Sequence, residues 1–416
     1  MRKLLIAISC LALSLSVKAA TINAASANQT DVQAAIDSAA TGDRVLVPTG
    51  NVTWTNLNLN KCITLEGNGS TGANRTQINR PADATAYSYN AMIYLVLANP
   101  DAAVTRITGF DFEYPSYRAL SSSNWGIAVR GNGVRRLRID NCIFKFMNPP
   151  LDVFCGQPLY GVIDHNIFID NRVISRVGET FETHGADSWQ RPVAPGGSDS
   201  LFWETNEFRY DAAQPEEVGE GFYGIGGGRA VVRYNTWNSA GMAYPAHGFD
   251  AHGYAGWGHG TRLYEIYNNT LNVPGNSYRI SNLRGGIHIV HDNIINKTGS
   301  TIGWQLTSEL AQSRSSIRSA SGYDEAIHDS FFWNNTCNGV SSNAYVTGQW
   351  ANEPTLGTEF FNRPIQSGDA WYPYKPYTYP HPLVGLVPAP ATMHVVGQVT
   401  FPSGEQVTLD TTATKQ

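Results

Sequence analysis

The sequence predicts an all-β solenoid in which short parallel strands stack coil upon coil. Two observations support this fold. The chain of 416 residues is 15% charged and contains 40 glycines, and its short β-branched and aromatic runs are separated by Gly, Asn, Ser and Pro. Segments rich in Glu, Lys, Leu and Ala, from which long amphipathic helices form, are scarce. The second observation is a short pattern that recurs along the middle of the chain, as repeat architectures require.

The recurring pattern is an apolar residue, two variable residues, an asparagine and a further apolar side chain two positions on. It occurs in IDNCIF (139–144), IDHNIF (163–168), WETNEF (203–208), VRYNTW (232–237), IYNNTL (266–271), VHDNII (290–295) and FWNNTC (332–337). Its asparagine position holds Cys142, Asn166, Asn206, Asn235, Asn269, Asn293 and Asn335, at spacings of 24, 40, 29, 34, 24 and 42 residues. A minimum spacing near one coil with irregular additions predicts a solenoid with loops of varying length. We expect each asparagine to adopt the left-handed backbone of a bend and to hydrogen-bond its counterpart about 4.8 Å away in the next coil.

The first 20 residues have the pattern of a secretory signal peptide. Two cations precede an apolar run from Leu4 to Val17, and small residues follow at Ala19 and Ala20. We therefore expect a signal peptide over 1–20, a solenoid over 21–383 and a linker with a short β tail over 384–416. The expected location is secreted or periplasmic.

The remaining bulk properties restrict the partners. Removing the three cations of the signal peptide takes the formal charge from −5 to −8, which disfavours nucleic acid, whereas a locally basic groove could still bind an acidic polysaccharide. No later segment reaches the roughly 18 apolar residues of a membrane span, and we expect a monomer.

The four cysteines after residue 20 lack zinc-like spacing, so we predict core residues and no metal site from them. They are Cys62, Cys142, Cys155 and Cys337.

The start of the solenoid carries a family resemblance. The segment DVQAAIDSAATGDRVLVPTGNVTW (31–54), followed by CITLEGNGS (62–70), resembles the opening of pectin lyase-like proteins, a superfamily that includes polysaccharide lyases such as pectate lyase. The asparagine pattern is similar to theirs, and the resemblance extends over roughly Asn28 to Asn338. It implies a single-stranded right-handed parallel β-helix of three sheets with an N-terminal capping helix and an asparagine ladder. It also implies that glycan binds in a groove over the sheet that precedes the ladder strand. We expect Thr30 or Asp31 to cap the helix.

The groove strands are predicted from segments that end at glycine upstream of each ladder strand. Aligned on that glycine, three segments share phenylalanine at Phe181, Phe222 and Phe249, which we expect to form a stack inside the solenoid. Because strand side chains alternate between faces, the neighbouring positions should face outward. The outward residues with chemistry are Arg130, Glu182, His184, Tyr223, Asp250, His252, Asn282 and Arg284.

This outward set favours cleavage of a uronic-acid-containing polysaccharide by β-elimination. That reaction requires a base, an acid and a cation that neutralises the uronate carboxylate. We predict Tyr223 as the acid–base group between His184 and His252, and Arg284 or a protonated histidine as the cation. Glu182 and Asp250 complete the predicted catalytic set. The predicted substrate-binding residues are Arg130, His247, Trp257, His259, Arg262 and Asn282.

Two alternatives stay open. Glu182 and Asp250, two coils or about 9.6 Å apart, could serve an inverting glycoside hydrolase, although this distance is at the upper limit for inversion. The chain could also be a non-catalytic glycan-binding or surface β-helix protein. The sequence predicts no definite cofactor, and carboxylates beside histidines leave a Ca²⁺ site open.

Overall fold

The chain forms a parallel β-helix, which confirms the fold class predicted from the sequence. The computed structural model describes residues 19–81, 91–114, 125–131, 133, 135–156, 159–178, 185–210, 220–239, 247–254, 256, 258–274, 279–309, 313–347, 354–386, 392–400 and 406–414. In this part of the chain, successive strands visit three long sheets in turn, and each strand pairs in parallel with its equivalent one coil later. We call these sheets A, B and C and number their strands in chain order.

Sheet A contains the strand that precedes each asparagine turn. Its strands are β1 (Thr21–Asn23), β2 (Arg44–Val47), β5 (Thr64–Gly67), β8 (Thr105–Thr108), β11 (Leu137–Asp140), β14 (Tyr160–Asp164), β17 (Ser200–Glu204), β20 (Arg229–Arg233), β23 (Leu263–Tyr267), β26 (Ile287–His291), β29 (Ser330–Trp333) and β33 (Phe360–Phe361).

Sheet B contains the strand that follows the turn. Its strands are β3 (Gly50–Thr53), β6 (Thr76–Asn79), β9 (Phe110–Glu113), β12 (Ile143–Lys145), β15 (Ile167–Ile169), β18 (Glu207–Tyr210), β21 (Thr236–Ser239), β24 (Thr270–Val273), β27 (Ile294–Lys297), β30 (Thr336–Cys337) and β31 (Val340–Ser341), of which the last two are antiparallel.

Sheet C lies upstream of sheet A in each coil and corresponds to the expected groove sheet. Its strands are β4 (Leu57–Leu59), β7 (Ala91–Val96), β10 (Trp125–Arg130), β13 (Leu151–Phe154), β16 (Ser175–Gly178), β19 (Glu220–Gly224), β22 (His247–Ala251), β25 (Ser281–Leu283), β28 (Trp304–Leu306) and β32 (Ala344–Val346). A separate antiparallel hairpin is formed by β34 (Thr392–Thr400) and β35 (Gln406–Thr414).

Three α-helices interrupt the described coils: α1 (Gln29–Ser38), α2 (Ala186–Gln190) and α3 (Arg314–Ser321). Helix α1 packs Val32 and Ile36 against the first coils. Its N-cap residue is Asn28, so the expected cap at Thr30 or Asp31 is wrong by two or three residues. No helix in the described residues is long and apolar enough to cross a membrane.

The core is a column of apolar side chains enclosed by the three sheets. On sheet B, Phe112, Phe144, Phe168 and Phe208 stack at centroid separations of 5.0–5.1 Å, and Trp237 continues the column at 4.5 Å from Phe208. Because parallel in-register pairing places equivalent residues one coil apart, identical rings meet at offset-stacking distance. The four cysteines downstream of residue 20 are free and buried in or beside this core.

The asparagine ladder is a continuous chain of buried hydrogen bonds. Each side chain donates from Nδ2 to the Oδ1 of the next at 2.8–3.1 Å, and the same Oδ1 accepts a backbone N–H from the coil before. The ladder runs through Asn166, Asn206, Asn235, Asn269, Asn293 and Asn335, and Cys142 joins it by its backbone N–H to Asn166. The left-handed backbone falls on the residue before each asparagine, for example Tyr234 at φ 55° and Asn268 at φ 54°. The expectation that the ladder asparagines adopt it is therefore wrong. They hydrogen-bond across coils, and their neighbours make the bend.

The segment after the last coils lies along the outer face of sheet A. Arg233 donates to the carbonyl oxygens of Tyr377 and Thr378 at 2.6 and 2.7 Å, and the backbone N–H of His381 donates to Glu204 at 2.8 Å. The Arg233–Glu204 pair is buried beneath this segment. Sheet A is thus covered on its outer face in these coils, whereas the candidate site lies on sheet C.

Replacing Asn235 by alanine should destabilise the fold by about 2–4 kcal/mol, because the backbone N–H of Asn206 and the carbonyl of Trp203 lose buried partners. Asn296→Ala is the matched control, since Asn296 is exposed and donates to Asn272 at the surface. It should change the free energy of unfolding by no more than about 0.5 kcal/mol. Denaturant unfolding of both variants measures the difference, and equal effects would contradict a structural role specific to the buried ladder.

Candidate active site

The candidate site lies on the outward face of sheet C, where β19, β22 and β25 are in register. Phe222 pairs with Phe249, and both rings face the interior, stacked 5.7 Å apart at an interplanar angle of 10°. Tyr223, Asp250 and Asn282 pair in one row across the three strands. Because side chains alternate, this row faces outward, as the sequence predicted for these strands.

The prediction fails one coil earlier. The strand beside β19 is β16, so Tyr223 pairs with Arg176 and Phe222 pairs with Ser175. The segment that the sequence assigned to this position, with Phe181, Glu182 and His184, follows β16 and lies outside the described residues. The register position beside Tyr223 belongs to Arg176, so the predicted strand alignment is wrong there. The positions of Glu182 and His184 relative to Tyr223 and Asp250 stay a prediction.

The physical reason is that this coil needs no phenylalanine at its inward position. Trp203 of sheet A packs against the ring of Phe222 at 5.1 Å and occupies that part of the core, so a buried serine suffices at Ser175. In the preceding coil Asp152 pairs with Ala128 and Arg176, and it belongs to the outward row.

A cluster around His252 forms the centre of the site. The imidazole ring lies 4.5 Å from the ring of Tyr223, centroid to centroid. Its Nε2 is 3.3 Å from Asp250 and its Nδ1 is 3.4 Å from Glu309. Burial alone would lower the pKa of His252, but the hydrogen bonds to Asp250 and Glu309 outweigh it and raise this pKa to about 9. The raised pKa favours the imidazolium form of His252 beside the ring of Tyr223.

Arg284 holds the same cluster together. Nη2 of its guanidinium donates to both carboxylate oxygens of Asp250, each at 2.8 Å. Nη1 donates to Glu309 at 3.1 Å, and Nη2 also contacts Nε2 of His252. The pKa of Glu309 is lowered, since contacts with His252 and Arg284 outweigh the effect of its burial. Two cations therefore face two carboxylates, and we call Tyr223, Asp250, His252, Arg284 and Glu309 the histidine cluster. Its charges balance without a ligand.

Glu309 was not found from the sequence. It lies in the loop after β28, 25 residues beyond Arg284, and no glycine-terminated strand pattern includes it. Asn282 lies in the row beside Asp250 but is buried, at 7% exposure.

Two arginines of sheet C share a single carboxylate on the other side of Tyr223. Arg176 donates from Nε to Asp152 at 2.6 Å, and Arg130 donates to the other oxygen of Asp152 and to its backbone carbonyl. Both guanidinium groups lie over the rings of Trp125 and Phe154. Arg130 was predicted as an outward residue, whereas Arg176 was missed because its strand carries no aromatic marker.

The histidine of the glycine-rich loop forms a separate pair. Nδ1 of His259 is 2.6 Å from Glu325, whose other oxygen accepts the backbone N–H of Gly260 at 2.6 Å. Arg262 lies 4.3 Å above the ring of Trp189, and burial lowers its pKa. These residues line the loops beside sheet C and are not joined to the histidine cluster by any side-chain contact that the described residues show.

Two predicted substrate-binding positions lie wholly or partly outside the described residues. His247 lies in β22, but its side chain falls outside the described part, as does the whole of Trp257. Among the described residues, no group of three or more His, Cys, Asp or Glu side chains could hold a metal ion.

A cavity of about 320 Å³ adjoins the histidine cluster at the C-terminal end of sheet C. Arg284 and Glu309 form part of its wall, and Ser308, Ser313 and Thr355 contribute hydroxyl groups. Hydroxyl groups beside ion pairs suit the polar edge of a sugar ring more than an apolar ligand.

The sequence matches no protein-family model, and no curated protein matches it. A search of solved structures finds similarity to the crystal structure of alginate lyase from Paenibacillus sp. str. FPU-7, with a TM-score of 0.36 and 12% sequence identity. The match covers 79% of this chain and 99% of that one. A similarity this weak says nothing about the reaction of this chain.

Proposed function

We propose that the protein is a polysaccharide lyase that cleaves a uronic-acid-containing polysaccharide by β-elimination, with Tyr223 as the proton-transferring group. The observation that carries this proposal is the contact between the Tyr223 ring and a cationic His252 on the outward face of sheet C. A cation beside a phenol favours the phenolate, which is the form that accepts a proton.

The reaction balances with these groups. The phenolate removes the proton α to the uronate carboxylate, and the electron pair of that C–H bond becomes a carbon–carbon double bond as the bond to the glycosidic oxygen breaks. The phenol that results donates its proton to the departing oxygen, which restores Tyr223. His252 remains an imidazolium throughout, because Asp250 and Glu309 hold its proton.

Hydrolysis fits the histidine cluster less well. A carboxylate that acts as base or nucleophile must reach the substrate, but Asp250 is fully buried and both its oxygens accept hydrogen bonds from Arg284. Asp250 is better placed to orient His252 and Arg284 than to attack a sugar. The signal-peptide pattern adds the proposal that the enzyme acts outside the cytoplasm.

Tyr223→Phe should lower the rate of elimination by about 10²–10⁴-fold while polysaccharide binding is retained, because only the transferring hydroxyl is removed. The measurement is the ultraviolet absorbance of the unsaturated uronate formed from a panel of polyuronates. Tyr234→Phe is the control, since Tyr234 lies in the turn between sheets A and B and contacts Tyr379. New reducing ends without ultraviolet absorbance would indicate hydrolysis instead. A wild type that binds a polymer but cleaves none of those tested would indicate a binding protein.

In the wild type, kcat/KM should decline as the pH rises through about 9. In Glu309→Gln, this alkaline decline should occur at a lower pH. The groups that face His252 are Tyr223, Asp250, Arg284 and Glu309. Removing the charge of Glu309 takes away one of the two contacts that raise the pKa of His252, so the imidazolium loses its proton earlier. The pH profile of initial rates measures this shift.

Glu207→Gln is the matched control for that profile, because Glu207 pairs with Arg209 on sheet B, away from the site. Its alkaline limb should coincide with that of the wild type. An unchanged limb in Glu309→Gln would show that protonation of His252 does not control the rate.

A further inference from the structure

The charges on the two sides of Tyr223 are unequal. On the side of β22 and β25, the cations His252 and Arg284 are matched by the carboxylates of Asp250 and Glu309. On the side of β13 and β16, two guanidinium groups share one carboxylate, that of Asp152. Among the side chains that the structure describes, the outward face therefore has an excess positive charge next to Tyr223 on the N-terminal side.

Of the two arginines, Arg176 lies nearer to Tyr223 in the register of sheet C. It is the register partner of Tyr223, one strand away, at the roughly 4.8 Å spacing of neighbouring strands. Its side chain is 24% exposed, compared with 13% for Arg130. Arg176 is thus more exposed on the outward face of sheet C than Arg130.

The guanidinium of Arg176 also has an unfilled donor. Nε is bonded to Asp152, whereas Nη2 is buried and has no hydrogen-bond acceptor among the described residues. A buried guanidinium N–H without an acceptor is unfavourable. A carboxylate is the acceptor for which the planar donor geometry of arginine is best suited.

The surroundings hold the group in place without a ligand. The carbon at the centre of the Arg176 guanidinium lies 5.3 Å from the centroid of the Trp125 ring and 5.4 Å from that of Phe154. Asp152 is fully buried and accepts a hydrogen bond from Nε of Arg176, which holds the guanidinium group in place. The charge is therefore positioned before any substrate binds, which is the condition for effective electrostatic stabilisation.

We propose that Arg176 binds the carboxylate of the uronate residue whose α proton is removed, and that Arg130 provides the adjoining positive charge. This assignment rests on the proposed function, and it replaces Arg284, whose donors are bonded to Asp250 and Glu309. Neutralising the carboxylate makes the α proton easier to remove, and Tyr223 is the next outward residue in the row.

The test is binding of alginate and polygalacturonate, each compared with its carboxyl-reduced form, by affinity electrophoresis. The full chain carries Tyr223→Phe in every sample so that cleavage does not alter the polymer. Arg176→Gln should lower the affinity for a polyuronate by at least about tenfold and leave any affinity for the carboxyl-reduced polymer unaltered. Arg176→Lys, which keeps the charge but not the planar donors, should retain more of the affinity than Arg176→Gln.

The controls separate binding from folding. Arg176→Gln leaves Asp152 paired with Arg130 but removes one hydrogen bond to this buried carboxylate, so its thermal unfolding midpoint should fall by a few degrees while the variant stays folded at the assay temperature. Arg209→Gln, on sheet B, should bind as the parent does. The assignment is overturned if Arg176→Gln binds polyuronate like Arg209→Gln, if the loss is equal for the carboxyl-reduced polymer, or if the parent binds neither polyuronate. A wild type that binds polyuronate through Arg176 without forming unsaturated product would instead overturn the lyase reaction alone.

Discussion

The buried asparagine ladder is the constraint on which the rest of the molecule depends. Each asparagine satisfies a backbone N–H of one coil and the side chain of another, so the turn between sheets A and B has the same geometry in successive coils. A slip of one residue would leave several buried amide groups without partners, which is far more costly than an exposed mismatch. Because the turn is fixed, the strands on either side stack in register, and loops of different length can be inserted elsewhere in the coil.

That arrangement explains why the candidate site lies on sheet C. The insertions that contain α2 and α3 both connect sheet C to sheet A, and the loop after β28 brings Glu309 over the outward row. The outer face of sheet A is covered, at Arg233 and Glu204, by the segment that contains Tyr377 and Thr378. A regular scaffold with variable loops on one side concentrates chemistry at that side.

The sequence predicted the coil repeat and two strands of the site correctly because both have a strong periodic signal. Phe222 and Phe249 fill equivalent core positions, and this fixed the outward direction of Tyr223 and Asp250. The same reasoning misplaced the next coil, where Ser175 takes the inward position and the core is filled from another sheet by Trp203. Residues brought in by loops, such as Glu309, have no fixed sequence distance from the strand they contact.

The two charge arrangements on sheet C have different consequences for a ligand. In the histidine cluster, adding a substrate carboxylate would leave an excess of negative charge among groups that already balance, so that side favours uncharged parts of a sugar. Around Asp152, a substrate carboxylate would bring two guanidinium groups to electrical balance. Since Coulomb interactions strengthen where water is excluded, this difference would orient an acidic chain with its carboxylate toward β16 and its leaving oxygen toward Tyr223 and β22. For the proposed substrate, the order of strands in sheet C would thus set the direction in which a bound polyuronate lies.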